Sequence, residues 1–214
     1  LLGAVNGSVQ LGSATADGNL VGIGAYAGAI VDTNGAGNNV TAAALIMSAQ
    51  LGIGDPDPLD TSVSLLAAEN NTSGAVQVIN SGALTVTSLT VPGFGSVAGV
   101  TAVGPVALTV TDTAAASADH LTVQAAVQSS GAGVTLSAGD DFSVSSTGSV
   151  SAGTTVVINI DAGDADAGTG ATAVLDGPIS SGSGATLNGN ADADSVTVNR
   201  LGTGGLTIGL GLWL

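Results

Sequence analysis

The chain has no cysteine, which removes disulfides, thiolate catalysis and thiolate metal sites together. It also has no lysine and a single arginine, Arg200, against 16 acidic residues, for a formal net charge of −15. Such a surface repels nucleic acid, anionic membranes and acidic polymers, and charge leaves cationic partners, metal ions above all, as the favoured ones. Aromatic residues make up only 2% of the chain, so the large rings that usually fill a thick sandwich core are missing. Long apolar runs are missing as well. Gly, Thr or Asp breaks every stretch before the ~20 residues of a membrane span, and no transmembrane segment is expected. The start, Leu1-Leu2-Gly3-Ala4-Val5, has no basic region ahead of a long apolar core, so no signal peptide is expected there.

What remains is a chain of small and β-branched residues, 44% apolar with 34 glycines. That is too much apolar surface for charge-driven disorder. It suits a narrow, evenly layered interior with many tight turns. Apolar and polar residues alternate in Val76-Gln77-Val78-Ile79-Asn80, Leu84-Thr85-Val86-Thr87, Leu121-Thr122-Val123-Gln124, Val134-Thr135-Leu136-Ser137 and Val196-Thr197-Val198-Asn199. Each reads as a strand with one face inward. Asn80-Ser81-Gly82, Ser129-Ser130-Gly131 and Asn188-Gly189-Asn190 between such runs are turn chemistry.

Two phrases recur at one and the same distance. Ala83-Leu84-Thr85-Val86-Thr87 returns as Ala107-Leu108-Thr109-Val110-Thr111, and Ala138-Gly139-Asp140 returns as Ala162-Gly163-Asp164. A fixed period of this size marks a solenoid whose coils stack on one another. The fold class expected is all-β, a right-handed parallel β-helix with ~24-residue coils, about nine in number and roughly 43 Å long. The echo places Leu84 against Leu108, the Thr85/Thr87 pair against Thr109/Thr111, and Asp140 against Asp164. Residues 1–214 are read as one solenoid, with a short helix or coil insertion near 55–70, where Leu59, Val63, Leu65 and Leu66 carry weak helical spacing, and an apolar tail at 201–214. The alternative is an antiparallel β-sandwich of short strands, as in pilus-like subunits.

The runs Ile30-Val31-Asp32-Thr33-Asn34-Gly35, Val40-Thr41-Ala42-Ala43 and Val78-Ile79-Asn80-Ser81-Gly82-Ala83-Leu84-Thr85 resemble the repeat regions of large bacterial surface proteins of the filamentous-haemagglutinin and autotransporter-like type. The resemblance covers about residues 30–200 of the chain. It implies a parallel β-helix acting as stalk or adhesive shaft, cell-surface or extracellular, with no catalytic residue carried over.

Catalysis has little to work with. The only histidine, His120, adjoins Asp119, and neighbours on a strand point to opposite faces, a poor geometry for a base and its orienting partner. The chain is therefore expected not to be an enzyme, the alternative being a carbohydrate-binding or carbohydrate-active β-helix. Acidic residues gather late in the chain, at Asp140, Asp164, Asp166, Asp192 and Asp194. Carboxylates in turns with neighbours ~4.8 Å away repel unless a cation intervenes, and calcium takes about 6 to 8 oxygens from such turns. These five are the candidate metal ligands. No cofactor is expected to be required, with calcium the one ion the composition invites, and the partners expected are further copies joined end to end and a host or matrix surface.

Overall fold

The computed structural model describes residues 1–115, 118–190 and 192–210, and within them every regular element is a β-strand, 24 in all. The alternation sets each strand's inner and outer sides. In Val134–Ser137 the two apolar side chains are buried while Thr135 is exposed and Ser137 half-buried, and Val106–Thr111, Leu121–Val123 and Phe142–Val144 repeat the pattern.

The strands stack as a parallel β-helix with three faces. Val9, Ile30, Ile53, Val76, Val106, Val134, Val156, Ala185 and Leu206 lie one above another on the first face. On the second, Val21, Leu45, Leu66, Val86, Val123, Val144, Leu175 and Val198 succeed one another. The third carries Ala4, Ala25, Ala49, Asn70, Ala102, Ser129, Ala152 and Ser181. The chain visits the faces in that order and climbs one level per circuit. The nine levels of the first face match the coil count expected from sequence.

Enclosed between the faces is one continuous core of Val, Leu, Ile and Ala, in which Phe142 is the one aromatic ring among the largest fully buried side chains. Narrowness follows from composition. Short aliphatic side chains from three walls meet at the axis, and a ring fits at few levels.

The coils are not of one length. On the first face the steps from Val9 to Ile30, from Val134 to Val156 and from Ala185 to Leu206 are short, whereas those from Val76 to Val106, from Val106 to Val134 and from Val156 to Ala185 are much longer. A basic coil is slightly shorter than the distance of the sequence echo, and excursions at the corners lengthen some coils well beyond it. The echo is thus no register. Leu84 pairs with Leu121 on the second face, whereas Leu108 pairs with Val78 and Leu136 on the first. Both are buried, as expected, but on different walls. Thr85 likewise pairs with Thr122 and Thr109 with Ile79 and Ser137, so the two threonine pairs do not stack. An inward strand reads Leu-Thr-Val whichever face it belongs to, which is why the phrase repeats without marking a common wall.

Two further expectations are corrected. Residues 59–70 hold two strands of the stack, Leu59–Ser62 and Leu65–Asn70, rather than a helix; β-branched Thr61 and Val63 favour extended backbone. The antiparallel sandwich is excluded by parallel pairing on all three faces. The one antiparallel pair among the described strands is the hairpin of Ser88–Val91 and Gly95–Ala98. That hairpin lies on the outside of the second face, where Leu89, Val91, Val97 and Phe94 cover Leu20, Ile46 and Ala67 in a separate small cluster. No helix among the described residues is long and apolar enough to cross a membrane.

Candidate metal centre

One corner of the stack, between the first and second faces, changes its chemistry along the axis. In the early coils it is held by asparagine. Asn80, fully buried, accepts hydrogen bonds from Thr61 Oγ1 (2.8 Å) and the Val63 N–H (2.9 Å) and donates to the carbonyls of Val63, Ser81 and Gly82. Asn39, equally buried, accepts from the Asp60 N–H and donates to the Leu11 carbonyl and to Asp32 Oδ1. A primary amide carries donors and an acceptor together, so one side chain satisfies backbone groups of both kinds.

In four consecutive later coils the corner is built from aspartate. Asp112 follows the strand Val106–Thr111, whose Val110 lies in register with Asn80. Asp140 follows Val134–Ser137; Asp161, Asp164 and Asp166 follow Thr155–Asn159; Asp192 follows Gly184–Asn188. Stacking brings them into two groups of three. Asp112, Asp140 and Asp166 each offer a carboxylate oxygen with all three inside 4.8 Å of one another, and so do Asp161, Asp164 and Asp192.

The second sequence echo has a clear meaning here. The Ala162 N–H donates to the Ala138 carbonyl at 3.0 Å, so the two Ala-Gly-Asp turns do lie on adjacent levels. Asp112 comes in against both their glycines. A Cβ on Gly139 would lie 2.7 Å from Asp112 Cα, and one on Gly163 would lie 2.7 Å from Asp112 Cβ and Oδ2. Any larger residue at either glycine pushes that carboxylate out. Asp161 and Asp164 themselves sit at φ 55°, the left-handed region that aspartate tolerates better than most residues.

The oxygens divide into held and free. Asp140 Oδ2 accepts from the Ala118 and Asp119 N–H groups at 2.5 and 2.6 Å, Asp112 Oδ2 from the Ala165 N–H at 2.5 Å, and Asp192 Oδ2 from the Gly168 N–H at 2.5 Å. By contrast Asp112 Oδ1, Asp161 Oδ2, Asp164 Oδ1 and both oxygens of Asp166 are shielded from solvent with no hydrogen-bond partner. Counter-charge is missing too. The one ion pair among the described residues joins His120 to Asp141, Nδ1 to Oδ2 at 3.5 Å. Burial, and then repulsion from Asp194, Asp164, Asp192 and Asp166, pushes the Asp161 carboxyl up to about 7. Asp164 and Asp166 are raised for the same two reasons, desolvation first and neighbouring carboxylates second.

Four of the five acidic residues singled out in the sequence therefore take part, though in other pairings than the echo implied: Asp140 joins Asp166, and Asp164 joins Asp192. Asp194 belongs to neither group, though its charge acts on Asp161. Its two oxygens accept from the Ala171 N–H of the preceding level and the Asn190 N–H of its own turn, at 2.9 and 3.0 Å. Asp112 and Asp161 complete the groups and were not among those five. Asp161 lies inside the acidic run, whereas Asp112 is an isolated aspartate well before Asp140 in the chain, and only the stacking of coils reveals it. His120 and Asp119 do point apart. His120 reaches Asp141, while Asp119 is buried and accepts from Thr113 N–H and Oγ1 at 2.8 and 2.6 Å.

Comparison with protein-family models, curated proteins and solved structures returns no match for this chain. The functional reading rests on its own residues.

Proposed function

We propose that the protein is a non-enzymatic structural segment of the cell surface or extracellular space, a rigid shaft that extends by joining further copies end to end. The observation that carries this reading is the parallel pairing of successive levels on all three faces, with a register shift at Ala16/Leu20 and single bridges at Ile53. Backbone hydrogen bonds between levels run along the long axis, and each inner strand has a partner above and below, so a pull along the shaft is shared by three ladders. Side-chain ladders add to them. Asn188 Nδ2 donates to Asn159 Oδ1 and Asn159 Nδ2 to Ser137 Oγ, both at 3.0 Å, across three levels.

The ends favour continuation. Terminal strands of a parallel stack present open N–H and C=O edges, which pair with any coil of the same geometry. Apolar side chains accompany them, with Leu1, Leu2 and Val5 exposed near one end and Leu201 and Ile208 near the other. Contact between unlike ends is heterologous and does not close, so it produces fibres rather than rings. A surface of −15 net charge keeps such fibres from collapsing sideways. The resemblance to shaft regions of bacterial surface proteins points the same way.

Electron microscopy of the purified chain at rising concentration tests the proposal. Unbranched fibres one coil wide are expected; dispersed particles at millimolar concentration would contradict end-to-end joining.

A further inference from the structure

We propose that the buried part of the aspartate corner is a calcium site in which Asp161, Asp164 and Asp192 hold one ion and so staple two consecutive coils. The site rests on more than its acidity. Asp161 is 1% exposed, and its Oδ2 is buried without a partner beside two further carboxylates. An ionised carboxylate in that position is costly unless a cation or a proton joins it, and no side-chain cation of the described residues lies there.

The donor set selects the ion. All three donors are carboxylate oxygens, with no thiolate and no imidazole, which favours a hard cation over zinc or copper. Calcium–oxygen bonds of about 2.3–2.6 Å let ligands in one shell stand as far as about 5 Å apart, and three oxygens inside 4.8 Å of one another fall within that span. Magnesium demands near-ideal octahedral geometry and gives up water reluctantly, which irregular turns serve poorly. The held oxygens supply the rigidity. The Gly168 N–H fixes Asp192 through one oxygen, and the left-handed turns at Asp161 and Asp164 hold the other two.

The same corner provides an internal comparison. Where Asn39 and Asn80 stand, the amide satisfies the surrounding backbone by itself. Aspartate has no donor to do so. Replacing amide by carboxylate removes the corner's own satisfaction and introduces charge, and a divalent ion restores both.

Calcium titration of the full chain, stripped with chelator and followed by calorimetry and thermal unfolding, tests the centre independently of fibre formation. Saturable binding of one ion at this site is expected, with affinity on the order of 10⁻⁴ to 10⁻³ M and a rise in Tm of several degrees that equimolar magnesium does not match. Asp161→Asn should remove that binding and the calcium-dependent rise. It should also raise the Tm of the metal-free chain, because it removes a buried charge, so loss of binding is distinguishable from misfolding. Asp57→Asn, an exposed acid outside the corner, should change neither. Uptake that never saturates, or unchanged uptake by Asp161→Asn, would overturn the proposal.

Discussion

Asparagine and aspartate differ by one group, and that difference divides the corner of this stack into two regimes. Asn80 makes five hydrogen bonds from a fully buried position. Asn80→Ala leaves the Val63 N–H and three carbonyls short of a partner, while Thr61 Oγ1 keeps the Ile79 carbonyl. A loss on the order of 3 kcal/mol is expected from the midpoint of urea unfolding; a loss below about 0.5 kcal/mol would mean that water replaces the amide. At the aspartates the effect is one of pH. The Asp161 carboxyl, at about 7 when folded, lies above the ordinary unfolded value of about 3.9. Its proton is bound more tightly in the folded state, so the metal-free chain gains stability as pH falls from about 7 toward about 4 and loses it again as pH rises through 7. Asp164 and Asp166 act in the same direction. Thermal unfolding of chelated protein should show a higher Tm at pH 5 than at pH 7.5, and saturating calcium should reverse the order, since calcium needs the ionised carboxylates.

At the scale of the element, the hairpin of residues 88–98 is an addition to the coil rather than part of it. The Gly99 N–H donates to the Thr87 carbonyl at 3.1 Å, so the chain is already joined beneath the hairpin. Replacing 88–98 by a short Gly-Ser link should leave the parallel register and the circular dichroism of the stack in place. It should uncover Ile46, Ala67 and Leu20 and so increase the binding of an apolar dye. Unfolding of the whole chain on that deletion would show the hairpin to be integral. Elements of this kind also mark where sequence reading stops. Alternation gave the strands and their inward residues, because period 2 is a local property of the backbone. It carries no information on which wall a strand joins. Leu84 and Leu121 are neighbours despite their distance in the chain, because the hairpin and a long corner lie between them. Ala138-Gly139-Asp140 and Ala162-Gly163-Asp164 lie on adjacent levels but not in the echo's register, since the strands before them pair Ser137 with Asn159. The acidic corner was legible to the same degree. The acidic run from Asp140 to Asp194 stood out, but Asp112 belongs to the corner only through the stacking of one coil on the next.

For the molecule as a whole, composition and architecture agree. A chain without cysteine or lysine and almost without aromatic rings has no covalent staples and few bulky anchors. Its stability comes from many similar layers, each contributing a few buried aliphatic side chains and its own backbone ladder. Such a body is extended and uniform, which suits a spacer, and its stability is summed coil by coil. The shaft and the calcium corner both follow from one claim, that three faces stack in the stated register. The absence of native cysteine makes that claim directly measurable. Cysteine pairs at Thr85/Thr122, Thr109/Ser137 and Gln128/Ser151 place two outward thiols on adjacent strands of the second, first and third faces, about 4.8 Å apart. Dibromobimane, which fluoresces only when neighbouring thiols take up both its arms, should react to completion with all three pairs. It should leave Thr85/Thr109, the pair at the sequence echo, dark. Fluorescence from the echo pair together with silence from the other three would contradict the register and, with it, the shaft and the calcium centre.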